Sequence, residues 1–286
     1  GCGPVADQLI DSLKRLEYRG YDSAGIATLE GTLLARRRAE GKLRNLEARL
    51  RADPLAGHVG IGHTRWATHG KPTENNAHPH ATHRLAVVHN GIIENFRELR
   101  DELERNGAKF HTQTDTEIVA QLVSAEMDGG KDPVSAVHSA LPRLRGAFAL
   151  AFLFEGEEDL LVGARKGSPL AIGYGKGEMF LGSDAIALAP FTDTISYLDD
   201  GDVAVLTRGK AEVTDVNGQP AKRAVIRTTA SALLVDKGNH RHFMAKEISE
   251  QPEVVGHTLA HYIDMAAEKV VLPDNLPFDF EKITRI

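Results

Sequence analysis

From Gly146 to Thr207 the sequence breaks into short apolar runs, each set off by Gly or Asp: Gly146 to Phe154, Leu160 to Ala164, Leu170 to Gly173, Met179 to Ser183, Thr194 to Leu198 and Val203 to Thr207. Runs this short and closely spaced predict antiparallel sheet joined by hairpin-like turns, not a doubly wound parallel sheet. The first half alternates both periods. Apolar Val5, Leu9, Leu13 and Leu16 mark one face of a helix; Ala24 to Leu34 reads as a strand pair turning at Glu30-Gly31, and Gly41 to Leu50 as a second helix. Strands are predicted at His58 to Arg65 and Leu85 to Asn90, and helices at Glu94 to Asn106, Thr116 to Met127 and Pro133 to Leu144. Helices before and among two sets of antiparallel strands predict an α+β sandwich with sheets inside and helices outside.

Between the strands ending at Arg65 and starting at Leu85 lies Ala67 to His83, rich in Gly, Pro, Asn and His and without a regular period. Loops of this length inside a compact domain usually cover or build a site. From about Asn239 the character changes to a polar segment, His240 to Pro252, then a helix near Val254 to Ala267 and a Pro-containing tail from Leu272 to Phe280. The expected division is a domain over 1–238 and a linker over 239–286.

Lys and Arg number 34 against 40 Asp and Glu, a formal charge of −6, and no basic run is long enough to track a phosphate backbone. Nucleic acid is therefore not an expected partner, and Arg36, Arg37 and Arg38 read as a solvated surface. No apolar stretch approaches the roughly 18 residues of a membrane span, and no leader pattern opens the chain, so a cytoplasmic protein without membrane contact is expected. Cys2 is the only cysteine, which excludes an intrachain disulfide and a Cys-based zinc site. His78, His80, His83 and His89 lie close in sequence, but with no Cys partner and no His-Glu-x-x-His pattern they read as structural or supporting groups. Neither a metal nor a cofactor is implied.

Amide hydrolysis needs a nucleophile, a base and donors for the tetrahedral oxyanion. A cysteine at a mature N-terminus combines the first two, because its α-amine (pKa about 7.7 to 8.0) and its thiol (about 8.5) can exchange a proton near neutral pH.

Five ordered segments carry a resemblance: Leu16 to Gly25 (LEYRGYDSAG), His63 to Gly70 (HTRWATHG), His78-Pro79-His80, Val87 to Asn95 (VVHNGIIEN) and Thr114 to Glu117 (TDTE). Together with Met244-Ala245-Lys246-Glu247-Ile248 to Pro252, they resemble the glutamine-hydrolysing domain of glucosamine-6-phosphate synthase, an N-terminal-nucleophile amidotransferase. The resemblance implies a four-layer αββα sandwich of two mainly antiparallel sheets. It implies L-glutamine as substrate, Cys2 as nucleophile, and the Asn90 side-chain amide and Gly91 backbone N–H as oxyanion donors. Arg65 would bind the substrate α-carboxylate and Asp115 its α-ammonium, with Trp66, Thr68 and His69 in the glutamine loop. Arg19 and Asp22 would pin the loop beside the nucleophile, with His78 and His89 in support. It further implies an isomerase domain in the same parent chain, which would use the ammonia to convert fructose 6-phosphate to glucosamine 6-phosphate, and a homodimer.

Each residue also has a plainer reading. Asn90-Gly91 suits a hairpin turn, Arg65 a surface ion pair, Asp115 a helix N-cap and Trp66 a partial core position. The N-terminus departs from the family's Cys-Gly-Ile-Val-Gly: Gly1 precedes Cys2, Pro4 follows Gly3, and the interval to Tyr18-Arg19-Gly20 is short by about a strand of 5 to 6 residues. Cys2 is thus either the nucleophile or a bystander. Another amidotransferase of this fold class, such as amidophosphoribosyltransferase, and a glutamine-binding module without turnover are the competing readings.

Overall fold

The structure, a computed structural model, describes residues 3–228, 240, 242–260, 262–264 and 267–271. The chain divides into two compact units, Gly1–Val235 and Asp236–Ile286.

The spine of the first unit is the antiparallel pair β5 (Leu85–Ile93) and β6 (Gly146–Phe154), in register from Leu85↔Phe154 to Ile93↔Gly146. Around it runs a six-stranded sheet, β12-β11-β7-β6-β5-β4, with β4 (His80–Ala81), β7 (Leu161–Lys166), β11 (Val203–Leu206) and β12 (Ala211–Thr214). Strand alternation sorts the side chains. Leu85, Val87, Phe148, Leu150, Phe152 and Phe154 face one way and form the largest core with α3 (Phe96–Arg105), α4 (Thr116–Asp128) and α5 (Pro133–Ala140).

Ala86, Val88, Ala149 and Leu153 face the other way. Ala86, Val88 and Leu153 meet Ala27 and Ile61 of a three-stranded sheet, β2-β1-β3, made of β1 (Ser23–Glu30), β2 (Leu33–Glu40) and β3 (Val59–Arg65). Ala149 meets Leu170 and Ile172 at a four-stranded sheet, β13-β10-β8-β9, made of β8 (Ala171–Tyr174), β9 (Met179–Gly182), β10 (Thr194–Tyr197) and β13 (Val225–Arg227). Because Ala149 and Leu153 share a face of β6, the two smaller sheets lie side by side on it. Their outer faces are covered by α1 (Ala6–Arg15) and α2 (Leu43–Ala52) on one and α6 (Ala185–Leu188) on the other. The order is helix, sheet, sheet, helix, the expected α+β sandwich. The difference is that one sheet layer is in two pieces, whose facing edges are β3 and β9.

Two readings are corrected. Arg36, Arg37 and Arg38 on β2 are not a solvated face. Arg36 donates to the Pro79 carbonyl (3.1 Å), Arg38 to the carbonyls of Asn75 (2.8 Å) and Ala77 (3.0 Å), and Arg37 pairs with Asp53 (2.6 Å). Burial pushes the Arg38 guanidinium down to about 10. These bonds hold the long loop, whose only regular pieces are a 3-10 turn at Glu74–Asn76 and β4.

In the second unit, helix α7 spans Phe243–Ala260 and passes through Pro252, where a polar segment and a later helix are expected from sequence. A lone proline removes one backbone donor, and neighbouring turns carry the helix past it. Beyond α7, β14 (Ile263–Asp264) pairs with β15 (Lys269–Val270), so the expected helix does not reach Ala267. The tail at Leu272 to Phe280 lies outside the described residues. No helix among them is long and apolar enough to cross a membrane.

Candidate active site

Arg65 ends β3, Asn90 and Gly91 lie within β5, and Asp115 opens α4. The fold brings all four to the wall of one cavity of about 560 Å³. Arg65 is 4% exposed. One guanidinium nitrogen, Nη2, donates to the His69 carbonyl, while Nη1 is buried with no hydrogen-bond partner. Burial lowers its pKa, opposed by the nearby Asp22 and Asp115 carboxylates. Among the described residues it makes no ion pair, which disposes of the surface-pair reading.

Asp115 is equally buried and does not cap α4. Its Oδ2 turns away to accept the Ile93 N–H at 2.8 Å. A buried guanidinium and a buried carboxylate that do not pair with each other are costly unless something else satisfies them. A zwitterionic amino acid carries the complementary charges.

The strand edge between these charges carries an unused donor. On β5 the His89 N–H points away from β6 to His78 Nδ1 (3.3 Å), and the Ile93 N–H points the same way to Asp115; the Glu94 N–H instead reaches the Arg145 carbonyl on the β6 side. Alternation places the Gly91 N–H on the outer edge, between the His89 and Ile93 amides. The Asn90 side chain, exposed and without a partner among the described residues, projects from the opposite face to His89, toward the gap between the sheet layers. β5 runs straight through Asn90-Gly91 in register with Ala149 and Phe148, so these residues are not a hairpin turn.

The loop residues divide. Trp66 and Thr68 line the cavity, and Trp66 is 67% exposed against Gly20, not a core residue. His69 does not line the cavity; its ring packs edge-on against Phe96 at 4.9 Å and its carbonyl holds Arg65. Asp22 Oδ2 accepts the Ala67 N–H at 2.6 Å, fixing the loop where it leaves β3, and Arg19 reaches Asp184 (2.5 Å) and Ser183 (3.2 Å) beyond β9.

His63, His78 and His89 line the pocket, His63 half-buried and the other two buried, with buried His80 beside them; His63 stacks on His78 at 4.4 Å and His78 is edge-on to His80 at 4.8 Å. Burial drives His63 down to about 3 and also lowers the other three, against the pull of Asp115 on His89. Among the described residues no cluster of three His, Cys, Asp or Glu is arranged for a metal. His63 was not picked out by the sequence reading, although its i, i+2 spacing to Arg65 puts both on one face of β3.

These rings make stability depend on pH with a defined sign. Each folded-state pKa lies below the unfolded value of about 6.5, so between the two values the unfolded chain binds more protons and stability rises with pH. The urea midpoint at pH 5 is expected below that at pH 7.5, continuing to fall toward the His63 value near 3. A midpoint unchanged from pH 7.5 to 5 would contradict neutral burial of the cluster.

Away from Arg65 the cavity continues as an apolar slot. One side is the edge of β3, the other that of β9; α1 contributes Leu9 and Leu13, and the six-stranded sheet Val88 and Ala151. Cys2 lies outside the described residues. Gly3, which follows it, accepts a hydrogen bond from His58 Nδ1 (3.1 Å) beside the start of β3, the end opposite Arg65. Across a seven-residue strand those ends are separated by about 20 Å.

Residues 63–190 match a family model described as a glutamine amidotransferase domain. A solved glutamine phosphoribosylpyrophosphate amidotransferase from B. subtilis superposes with a TM-score of 0.65 over 75% of this chain and 47% of its own; at 24% identity it speaks to the fold alone. Family model and fold together define a glutamine amidotransferase domain. The glutamine–fructose-6-phosphate aminotransferase (isomerizing) of Bradyrhizobium diazoefficiens is 71% identical, and that of Brucella abortus biovar 1 is 65% identical, over all 286 residues. The chain covers 47% of the length of each, about half of these curated relatives. It belongs to the glutamine amidotransferase family that the glutamine–fructose-6-phosphate aminotransferases carry.

Proposed function

We propose that this domain binds L-glutamine and hydrolyses its side-chain amide to glutamate and ammonia. The observation that carries the reading is the convergence of the unpartnered Arg65 Nη1, the uncapping Asp115 carboxylate and the outer-edge Gly91 N–H on one cavity. Arg65 takes the α-carboxylate and Asp115 the α-ammonium, with Thr68 beside them and Trp66 at the rim. The carboxamide then lies toward Asn90 and Gly91. The Cys2 thiol gives up its proton and attacks the carboxamide carbon, the oxyanion is held by the Asn90 amide and the Gly91 N–H, that proton passes to the nitrogen as the C–N bond breaks and ammonia leaves, and water hydrolyses the thioester to glutamate and the free thiol.

Cys2 carries the only thiol of the chain, and to act as the nucleophile it must reach the Arg65 end of the slot. In the whole protein we infer that the ammonia serves conversion of fructose 6-phosphate to glucosamine 6-phosphate on a sugar-phosphate isomerase half. Residues 1–238 would then act as the glutaminase, 239–286 would lead toward that half, and the protein would work as a cytoplasmic homodimer. The 71% relative favours this acceptor over a phosphoribosyl one, to which the likeness is 24% and in fold.

Calorimetric titration of the chain with glutamine, alongside the Cys2→Ala variant, tests the reading. Saturable binding is expected, with Kd altered by less than about twofold in the variant, under 0.5 kcal/mol. Absence of binding would refute the pocket assignment; glutamate release lost specifically in Cys2→Ala would establish Cys2 as the nucleophile, and release retained in that variant would make it a bystander.

A further inference from the structure

Thr116, the first residue of α4, is fully buried, and its hydroxyl lies between two imidazoles: 3.0 Å from His89 Nδ1 and 3.2 Å from His78 Nε2. The proton positions follow from counting donors. His78 Nδ1 accepts the backbone N–H of His89, so a neutral His78 carries its hydrogen on Nε2 and donates it to the threonine oxygen. The hydroxyl has one hydrogen of its own, and the acceptor within reach of it is His89 Nδ1. If His89 instead donated from Nδ1, the threonine hydrogen would be buried without an acceptor, at a penalty of about 1 to 3 kcal/mol. Asp115 offers His89 no alternative, since its Oδ2 stands 3.8 Å from Nδ1 and already accepts from Ile93. Nε2 of His89 is buried without a protein partner, so a hydrogen on Nδ1 would leave two groups unmet, the threonine hydrogen and the Nε2 lone pair, whereas a hydrogen on Nε2 leaves one; His89 therefore carries its hydrogen on Nε2.

We propose that Thr116 is a positioning residue for the glutamine site. Its hydroxyl closes a one-way ring of hydrogen bonds through His78 and His89 that sets both tautomers and clamps the β5 edge at Asn90-Gly91 to the helix end bearing Asp115. Two of the three links anchor His89, the residue immediately before Asn90, from its backbone N–H and from its ring. Thr116 adjoins Asp115, so the ring ties the donor edge to the group that would hold the α-ammonium. This role rests on the glutamine reading; the ring itself does not.

The test is nitrogen-15 NMR of the histidine rings combined with glutamine titration, in the unaltered chain, Thr116→Ser and Thr116→Val. Nε2–H tautomers are expected for both His78 and His89 in the unaltered chain and in Thr116→Ser, with glutamine affinities within about threefold of each other. Thr116→Val keeps the shape and removes the hydroxyl; glutamine Kd is expected to rise about tenfold or more, equivalent to 1.4 kcal/mol, and His89 to lose its single tautomer. An Nδ1–H tautomer at His89 in the unaltered chain, or Thr116→Val binding glutamine like Thr116→Ser, overturns the proposal. If the unaltered chain binds no glutamine, the pocket assignment fails and with it the positioning role, while the ring tautomers still decide the hydrogen-bond ring separately.

Discussion

Arg65→Lys is expected to weaken glutamine binding by about a hundredfold while leaving the fold intact. Lysine preserves the charge but presents a point ammonium in place of a planar fork, so the paired contact to a carboxylate becomes single. In this site the loss is doubled, because Nη2 also ties the His69 carbonyl and so holds the loop in place. One lost charge-assisted bond contributes about 1.5 to 3 kcal/mol, which is roughly ten- to more than a hundredfold in Kd. Since Arg65 sits at the end of β3 and packs no core cluster, thermal unfolding should shift little. Titration calorimetry reads the first effect and a melting curve the second. Wild-type affinity in Arg65→Lys would remove Arg65 from the binding site.

The second large effect is expected at Gly91, and on stability. Its φ of +142° is one that side chains rarely adopt, and a Cβ built there would stand 2.1 Å from the Ala147 carbonyl oxygen on β6. Backbone strain and overpacking each cost about 1 to 3 kcal/mol, so Gly91→Ala should lose about 3 kcal/mol or more and, by displacing the β5 edge, glutamine binding as well. Gly31 is the internal control. It has a positive φ of +57° in the turn between β1 and β2, but nothing lies within 4 Å of its Cβ position. Gly31→Ala should therefore cost only about 1 kcal/mol. Urea unfolding of both variants with unchanged m-values decides the matter; equal losses would show that the close approach to Ala147 is not what requires glycine at Gly91.

This glycine has a fold reason and a chemical one at the same position. The resemblance gives Gly91 a role through its backbone N–H, whereas the contact that excludes a side chain there is with the neighbouring strand. The same strand conformation puts the N–H on the outer edge, where the pocket can use it.

Much of the architecture was legible because periodicity is local. The alternation in Leu85 to Asn90 and Gly146 to Phe154 and the helical spacing of Leu9 and Leu13 all appear in the structure within a few residues. β12 and β13 were missed because Ala211–Thr214 and Val225–Arg227 are short edge strands, the first half-buried and the second exposed, without a long apolar run. The arginine triplet on β2 was misread for a different reason. A charge run is usually solvated, and nothing local indicates that carbonyls of a loop some 40 residues later will cover it.

What the sequence determined by itself is the α+β class, the antiparallel sheets, the ordered motifs and the residue types an amide-hydrolysing pocket needs. These depend on side-chain period and identity, which neighbours in the chain already specify. Only the tertiary structure decided that Asp115 accepts from Ile93 and does not cap its helix, that Thr116 bridges two neutral histidines, and that one sheet layer is split between β3 and β9. It also decided that Gly3 sits at the end of β3 remote from Arg65. Those outcomes depend on pairings between residues far apart in sequence and on burial, which makes unpaired charges costly and so forces each buried polar group toward a particular partner.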